Sequence, residues 1–145
     1  MKAIYFDMDG TIANLYGVEN WLENLRAENP MPYKKATPLL KLNQLAKILN
    51  NLQKKGYTIG IVSWLSKNSS KKYDLEVIRA KINWLKSHLA SVNFDEIIIV
   101  PYGTPKENVV KFPKGILFDD EERNRKNWKG QAFDEKNILE ILKAL

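Results

Sequence analysis

The sequence contains no cysteine and a single histidine, His88, in 145 residues. The first absence excludes disulfide scaffolds, thiolate zinc sites, iron–sulfur clusters and cysteine nucleophiles. The second excludes histidine-rich metal centres, and His88 itself reads as a surface residue near a helix end. Long apolar runs are missing too. The longest clean one is Ile97-Ile98-Ile99-Val100, whereas a membrane-spanning helix needs about 20 apolar residues. Asp7 and Asp9 arrive too early for the apolar stretch of a secretory signal. The expectation is a cytoplasmic protein with no membrane partner. There is also no long basic run. The balance of 23 Lys+Arg against 17 Asp+Glu gives +6, but Lys34-Lys35, Lys54-Lys55, Lys71-Lys72 and Arg123 to Lys126 are short clusters that read as solvated surface. A general positive field favours anionic partners; charge alone does not indicate nucleic acid. What remains is ordinary for a folded domain: 44% hydrophobic and 28% charged residues argue against disorder. The length suits one domain, 1–145, with a core of its own.

Apolar runs and helical periodicities alternate along the chain. Lys2–Phe6 reads as a buried strand stopped by Asp7-Met8-Asp9-Gly10. Val18–Glu28 reads as a helix broken by Pro30 and Pro32. A clearer helix follows, with Thr37 as its cap, Pro38 at its first position and Leu42, Leu45, Ala46, Leu49 and Leu52 on one face, stopped by Gly56. Tyr57–Ser63 is a second strand. Asp74–Leu89 is predicted as a helix with Leu75, Ile78, Ile82, Leu85 and Leu89 on its apolar face. Glu96–Val100 is a third strand, Pro105–Val110 a short helix, Gly115–Phe118 a fourth strand and Gln131–Phe133 a fifth. Asp134 is expected to cap a last helix carrying Ile138, Ile141, Leu142 and Leu145. Strands apolar on both faces that alternate with helices predict a three-layer, Rossmann-like open parallel α/β sheet. Right-handed crossovers place the strand C-termini on one edge, where such folds bind ligands.

Reactive side chains follow the strands at that edge. Asp7 and Asp9 follow the first, Ser63 the second, Lys106 the third, and Asp119 and Asp120 the fourth. Each has an ordinary reading alone: a turn for Asp-x-Asp-Gly, a commonplace serine, a solvated lysine, a helix cap for Asp119-Asp120. Gathered on one edge, the carboxylates repel and raise one another's pKa, and something cationic must offset them. Oxygen-only ligands suit Mg2+, which favours carboxylates together with substrate phosphate. With Lys106 and the Ser63 hydroxyl as donors to an anion, the set suits phosphoryl transfer.

Phe6-Asp7-Met8-Asp9-Gly10-Thr11 resembles the first motif of the haloacid dehalogenase (HAD) superfamily. Ile61-Val62-Ser63 is similar to its second motif and Lys106 to its third. Ile116-Leu117-Phe118-Asp119-Asp120 with Asn124 resembles an Asp-Asp-x-x-x-Asn form of the fourth. The resemblance spans residues 3–124 and keeps the motifs in order. It implies that Asp7 is a nucleophile that becomes an aspartyl-phosphate, and that Asp9 protonates the leaving oxygen and later helps deprotonate water. It implies that Mg2+ is held by the Asp7 carboxylate, the Asp9 carbonyl and Asp119, with Asp120 supporting the metal waters or orienting Lys106. Ser63 and Lys106 would bind phosphate, and the Trp64 backbone N–H would add to them. A second aspartate two positions after the nucleophile marks the phosphatase branch, because an alkoxide needs a proton and a halide does not. A phosphonatase would need a Schiff-base lysine from a cap, for which there is no room.

The space for a cap is small: a helical lid within 12–36, and almost nothing between the third strand and Lys106. This nearly capless form is similar to deoxyribonucleotidases and to the phosphatase domains of phage polynucleotide kinases. It implies a bulky substrate, a nucleotide or nucleic-acid end or a phosphoprotein, or closure by a second subunit; monomer and homodimer both fit. Asn14, Tyr16, Trp21 and Trp64 are candidate selectivity residues, with Trp64 able to stack on a base or to pack at the sheet edge. Trp21 and Trp84 also fit core or lid packing. Arg123, Arg125 and Lys126 balance the acidic Asp119–Glu122 or contact a polyanion. The alternatives to a phosphatase are a HAD-like module that binds a phosphorylated ligand with little or no turnover, and a phosphotransferase subunit. The absence of a Gly-x-x-x-x-Gly-Lys-Ser/Thr loop means the latter would need another chain as kinase.

Overall fold

The computed structural model describes residues 2–145. Its centre is a five-stranded, all-parallel sheet. The strands are β1 (Ala3–Phe6), β4 (Thr58–Trp64), β5 (Glu96–Val100), β6 (Ile116–Phe118) and β7 (Ala132–Phe133), in the order β5-β4-β1-β6-β7. Every β1 residue is buried, because a central parallel strand is covered on both faces. The period-two alternation of a strand divides the core. Ile4, Phe6, Ile59, Ile61 and Phe118 face α3 (Leu42–Lys54), α6 (Ile138–Lys143) and the end of α4 (Lys71–His88). Ala3, Tyr5, Val62 and Leu117 face Val110 and Trp128, near α5 (Glu122–Asn127). Phe6 stacks on Phe118 at 5.3 Å, joining β1 to β6. The order reverses direction at β1, so the loops after β1, β4 and β6 open at one place. Among the described residues, no helix is long and apolar enough to cross a membrane.

Residues 13–38 form a small insert before α3. It contains β2 (Ala13–Asn14), α1 (Trp21–Arg26), α2 (Met31–Lys35) and β3 (Thr37–Pro38), with β2 and β3 paired antiparallel. Hydrogen bonds fasten it to α4 and the loop before it. Glu28 accepts from the Ser70 N–H (2.8 Å) and hydroxyl (2.6 Å), the Tyr73 hydroxyl donates to the Asn29 carbonyl (3.0 Å), and Trp84 Nε1 donates to the Ala36 carbonyl (2.7 Å).

The structure corrects three local expectations. Thr37 and Pro38 do not begin α3: they form β3, and α3 starts at Leu42. A threonine before a proline fits an extended edge as well as a helix start, and pairing with β2 decides it. The apolar face of α4 agrees with the prediction at Leu85 and Leu89 but is shifted in its first turns, where Ile78 and Ile82 are only half-buried. Leu75 is 64% exposed, and the buried stripe is Tyr73, Val77, Ala80, Lys81, Trp84 and Leu85, starting one turn earlier behind a Ser70 cap. Asp134 does not cap α6: it accepts from the Lys136 N–H in a turn, and Asn137 precedes the helix.

Candidate active site at the carboxyl edge of the sheet

Asp7 directly follows β1, and its N–H donates to the Phe118 carbonyl (2.9 Å), so the β1–β6 pairing fixes where its side chain begins. The chain then turns sharply, and the Met8 carbonyl accepts from the N–H groups of Thr11, Ile12 and Ala13. Gly10 sits in this turn at φ +80°. A Cβ there would lie 2.3 Å from an Asp120 carboxylate oxygen, so both the conformation and the close approach require glycine.

Both oxygens of Asp7 have partners. Oδ1 accepts from Lys106 Nζ (2.9 Å) and Oδ2 from the Thr11 hydroxyl (3.1 Å). Lys106 also donates to Asp119 Oδ2 (2.6 Å) and is only 2% exposed. The solvated-lysine reading therefore fails. Asp119 is held by its other oxygen, which accepts the Glu121 N–H (2.9 Å), and by Asn124 Nδ2 (3.1 Å). Orienting Lys106 falls to Asp7 and Asp119; Asp120 instead meets the Thr11 hydroxyl (3.2 Å) and returns its own N–H to that oxygen (3.1 Å). Thr11, read from sequence only as part of a motif, thus ties the first acidic segment to the last.

Asp7, Asp119 and Asp120 each offer a carboxylate oxygen within 4.8 Å of the others. Like charges at such a distance repel by about 3 kcal/mol per pair even at an effective dielectric constant near 20. One ammonium against three carboxylates does not cancel this. Burial, then the Asp7 charge, pushes the Asp119 carboxyl up to about 7 although Lys106 opposes it. Burial and the contact with Asp7 push Asp120 up to about 8. Burial works against the charge on Lys106, but Asp7 and Asp119 outweigh it and hold its pKa above the ordinary lysine value. A cluster that must otherwise hold protons, built from oxygen donors alone, fits a hard divalent cation such as Mg2+.

The second half of the site lies against α4. Asp9 gives its carboxylate to Lys81 Nζ (2.9 Å) and is not among the three carboxylates gathered within 4.8 Å of one another. Burial raises the Asp9 pKa, with Lys81 acting against it. Ser63 lies within β4, opposite Ile99, and is fully buried. Its hydroxyl accepts from the same ammonium (2.7 Å), as does the Trp64 carbonyl (2.7 Å). Sequence reasoning missed Lys81. The signal was its place on the Tyr73-Val77-Ala80-Trp84 stripe.

Asp7, Asp9, Lys106, Asp119 and Asp120 border a cleft of about 660 Å³ that opens between the sheet edge and the insert, whereas the buried Ser63 and Lys81 are not part of its lining. Tyr16 and Trp21 line the insert side, edge to face at 4.9 Å. On the other side Trp64 anchors its Nε1 to the Thr104 carbonyl (2.8 Å) and packs against the exposed Tyr102 at 4.9 Å. Arg123 stands 5.0 Å from the centre of the Trp64 ring and Lys67 5.8 Å from that of Tyr102. Asn14 is not in the cleft lining: its side chain lies against Gly17. Trp84 is core, and exposed His88 packs on it at 4.4 Å. Arg125 donates to the Asp119 carbonyl (3.0 Å), and Lys126 pairs with Glu122 on the surface.

No known family's sequence pattern matches the chain, and no curated protein matches it in sequence. Solved structures match in fold. A D,D-heptose 1,7-bisphosphate phosphatase from B. bronchiseptica, complexed with magnesium and phosphate, superposes with a TM-score of 0.58 at 16% identity, over 88% of this chain and 74% of that one. The D,D-heptose 1,7-bisphosphate phosphatase from Burkholderia thailandensis gives 0.50 at 14% identity, over 87% and 70%. A chain of the Pnkp1/Rnl/Hen1 complex gives 0.54 at 18% identity, over 92% of this chain and 45% of that one, so this chain spans less than half its length. The chain therefore has the three-layer α/β fold of these proteins, the fold that its four-motif resemblance implies.

Proposed function

We propose that this chain is a Mg2+-dependent phosphomonoester hydrolase of HAD type that acts through an aspartyl-phosphate, on the terminal phosphate of a nucleotide or nucleic acid. The observation that carries the reading is the convergence of Asp7, Lys106 and Asp119 into one ion-paired group, with Asp9 beside it, from three separate strand ends. An Asp7 oxygen attacks phosphorus and the bond to the ester oxygen breaks. The departing alkoxide takes a proton from Asp9, whose buried carboxyl favours the protonated form. Water then attacks the same phosphorus and gives its proton to Asp9, the bond to Asp7 breaks, and the carboxylate is restored. Lys106 steadies the Asp7 charge before attack and the phosphoryl oxygens during it, and Ser63 donates to one of those oxygens. The carboxylates of Asp7, Asp119 and Asp120, with the Asp9 carbonyl, would hold Mg2+, whose positive charge would let anionic phosphate approach an anionic nucleophile.

The cleft wall supports the substrate class. Trp64 and Tyr102 offer aromatic surface, and Arg123 and Lys67 stand over them as cations. A base-bearing polyanion finds both complements there. Residues 12–36, which include most of the insert, act as the small lid on the opposite side. The test is phosphate release with Mg2+ from a chromogenic phosphomonoester, a nucleotide panel, end-phosphorylated oligonucleotides and sugar phosphates. Turnover is expected, fastest on the nucleotide or oligonucleotide substrates and abolished by Asp7→Asn. A preference for sugar phosphates overturns the substrate class. Tight binding of a phosphorylated ligand without phosphate release overturns the enzymatic reading in favour of a binding module.

A further inference from the structure

Lys81 is a buried charge that the reaction above does not use. It sits in the middle of α4, 1% exposed. Its ammonium donates to Asp9 Oδ2 (2.9 Å), Ser63 Oγ (2.7 Å) and the Trp64 carbonyl (2.7 Å). The Tyr33 ring of the insert lies 5.2 Å away. An ammonium has three donors, so all are committed. Taking such a group out of water is costly even when it is paired. Packing alone would be served by an apolar residue like its neighbours Val77, Ala80 and Trp84 on the same stripe.

We infer that Lys81 is a positioning residue for the proton-handling half of the site. Its bond to Asp9 Oδ2 fixes that carboxyl group in one rotamer and leaves Oδ1 to meet the leaving oxygen. Its bond to Ser63 Oγ uses that hydroxyl as an acceptor, so the hydroxyl proton is left to donate to a phosphoryl oxygen. Trp64, next in β4, is held by the same ammonium through its carbonyl, so one side chain sets the acid, the phosphate donor and the aromatic wall together. The inference rests on the phosphatase reading.

The test compares two esters with the same ring. 4-Nitrobenzyl phosphate releases an alkoxide that needs a proton; 4-nitrophenyl phosphate releases a phenolate that does not. kcat/KM covers only the steps up to phosphoryl transfer to Asp7, so it isolates protonation of the leaving group. Lys81→Met is expected to lower kcat/KM on the benzyl ester roughly 100-fold and on the phenyl ester roughly tenfold, the difference being lost acid assistance. Adding Lys81→Met to Asp9→Asn should not widen the difference between the esters further. Equal losses on both esters, or no loss, overturn the assignment. Lys81→Gln, which keeps a donor, carries the same comparison if the methionine variant does not fold. If neither folds, Lys81 is structural and the assignment is overturned. A wild-type chain that cleaves neither ester breaks the phosphatase reading instead, whereas equal losses beside an active wild type break only the role of Lys81.

Discussion

Two buried lysines divide the site. Lys106 bridges Asp7 and Asp119, which follow β1 and β6, and Lys81 bridges Asp9 and Ser63 from a helix. The first lysine lies where three like charges crowd, so it serves charge balance. The second meets one carboxylate and two neutral oxygens, so it serves orientation. Similar burial therefore supports two different jobs, and charge count around each ammonium tells them apart.

The largest effect separating the halves is expected from Lys106→Met. It removes the compensating charge from two buried carboxylates, which costs about 3–5 kcal/mol of stability when a buried pair is broken. Its activity loss should be roughly 10²–10³-fold or more and the same for both nitro-substituted esters, unlike that of Lys81→Met. Thermal melts and kcat/KM check both parts; a loss that depends on the leaving group would erase the division.

Metal and pH come next. The carboxyl pKa values of Asp119 and Asp120 are raised to about 7 and about 8. A raised carboxyl pKa means the folded chain holds protons that the unfolded chain has already released. The stabilisation is fully present below the ordinary aspartate pKa of about 4 and is lost as pH rises through about 7 to 8. Metal-free protein should therefore show a falling Tm from about pH 5 to about pH 8, and Mg2+ should remove most of the fall. Chelation should also abolish turnover, with Mg2+ restoring it. A flat metal-free profile would show that the trio is not crowded.

Ser63→Ala should cost less, roughly tenfold in kcat/KM and equally on both esters, as one donor among several. A loss confined to the benzyl ester would place Ser63 with the acid instead. The smallest effect is expected at Leu75. Leu75→Lys should change stability by no more than about 0.5 kcal/mol, since the side chain points to solvent, whereas Val77→Ala on the buried stripe should cost more. Chemical denaturation distinguishes them, and reversed sizes would contradict the observed phase of α4.

The Lys106 half was legible in sequence, as were Asp9 and Ser63 in the other half, but Lys81 was not, for a physical reason. Asp7, Lys106 and Asp119 follow strands, and strand C-termini of a parallel sheet share an edge whatever the helices do. Lys81 depends on helical phase. In α4 the residues Leu75, Ile78 and Ile82 compete with Tyr73, Val77 and Trp84 for the buried side, and the insert decides by placing Tyr33 and the Ala36 carbonyl against the latter. Thr11 reads in sequence only as part of a motif, because its bridge to Asp120 spans most of the chain. The Thr37–Pro38 misreading has the same origin: a local cap signal lost to pairing with β2.

The covalent role of Asp7 is the claim on which both halves depend. Acid-quenching the protein during turnover with Mg2+, reducing it with borohydride and sequencing its peptides by mass spectrometry tests it directly, because borohydride converts an acyl phosphate, but not a free carboxylate, to an alcohol. The account predicts homoserine at position 7, absent without substrate. Sustained phosphate release with Asp7 unmodified, or with the reduced residue at position 9, 119 or 120, would contradict it.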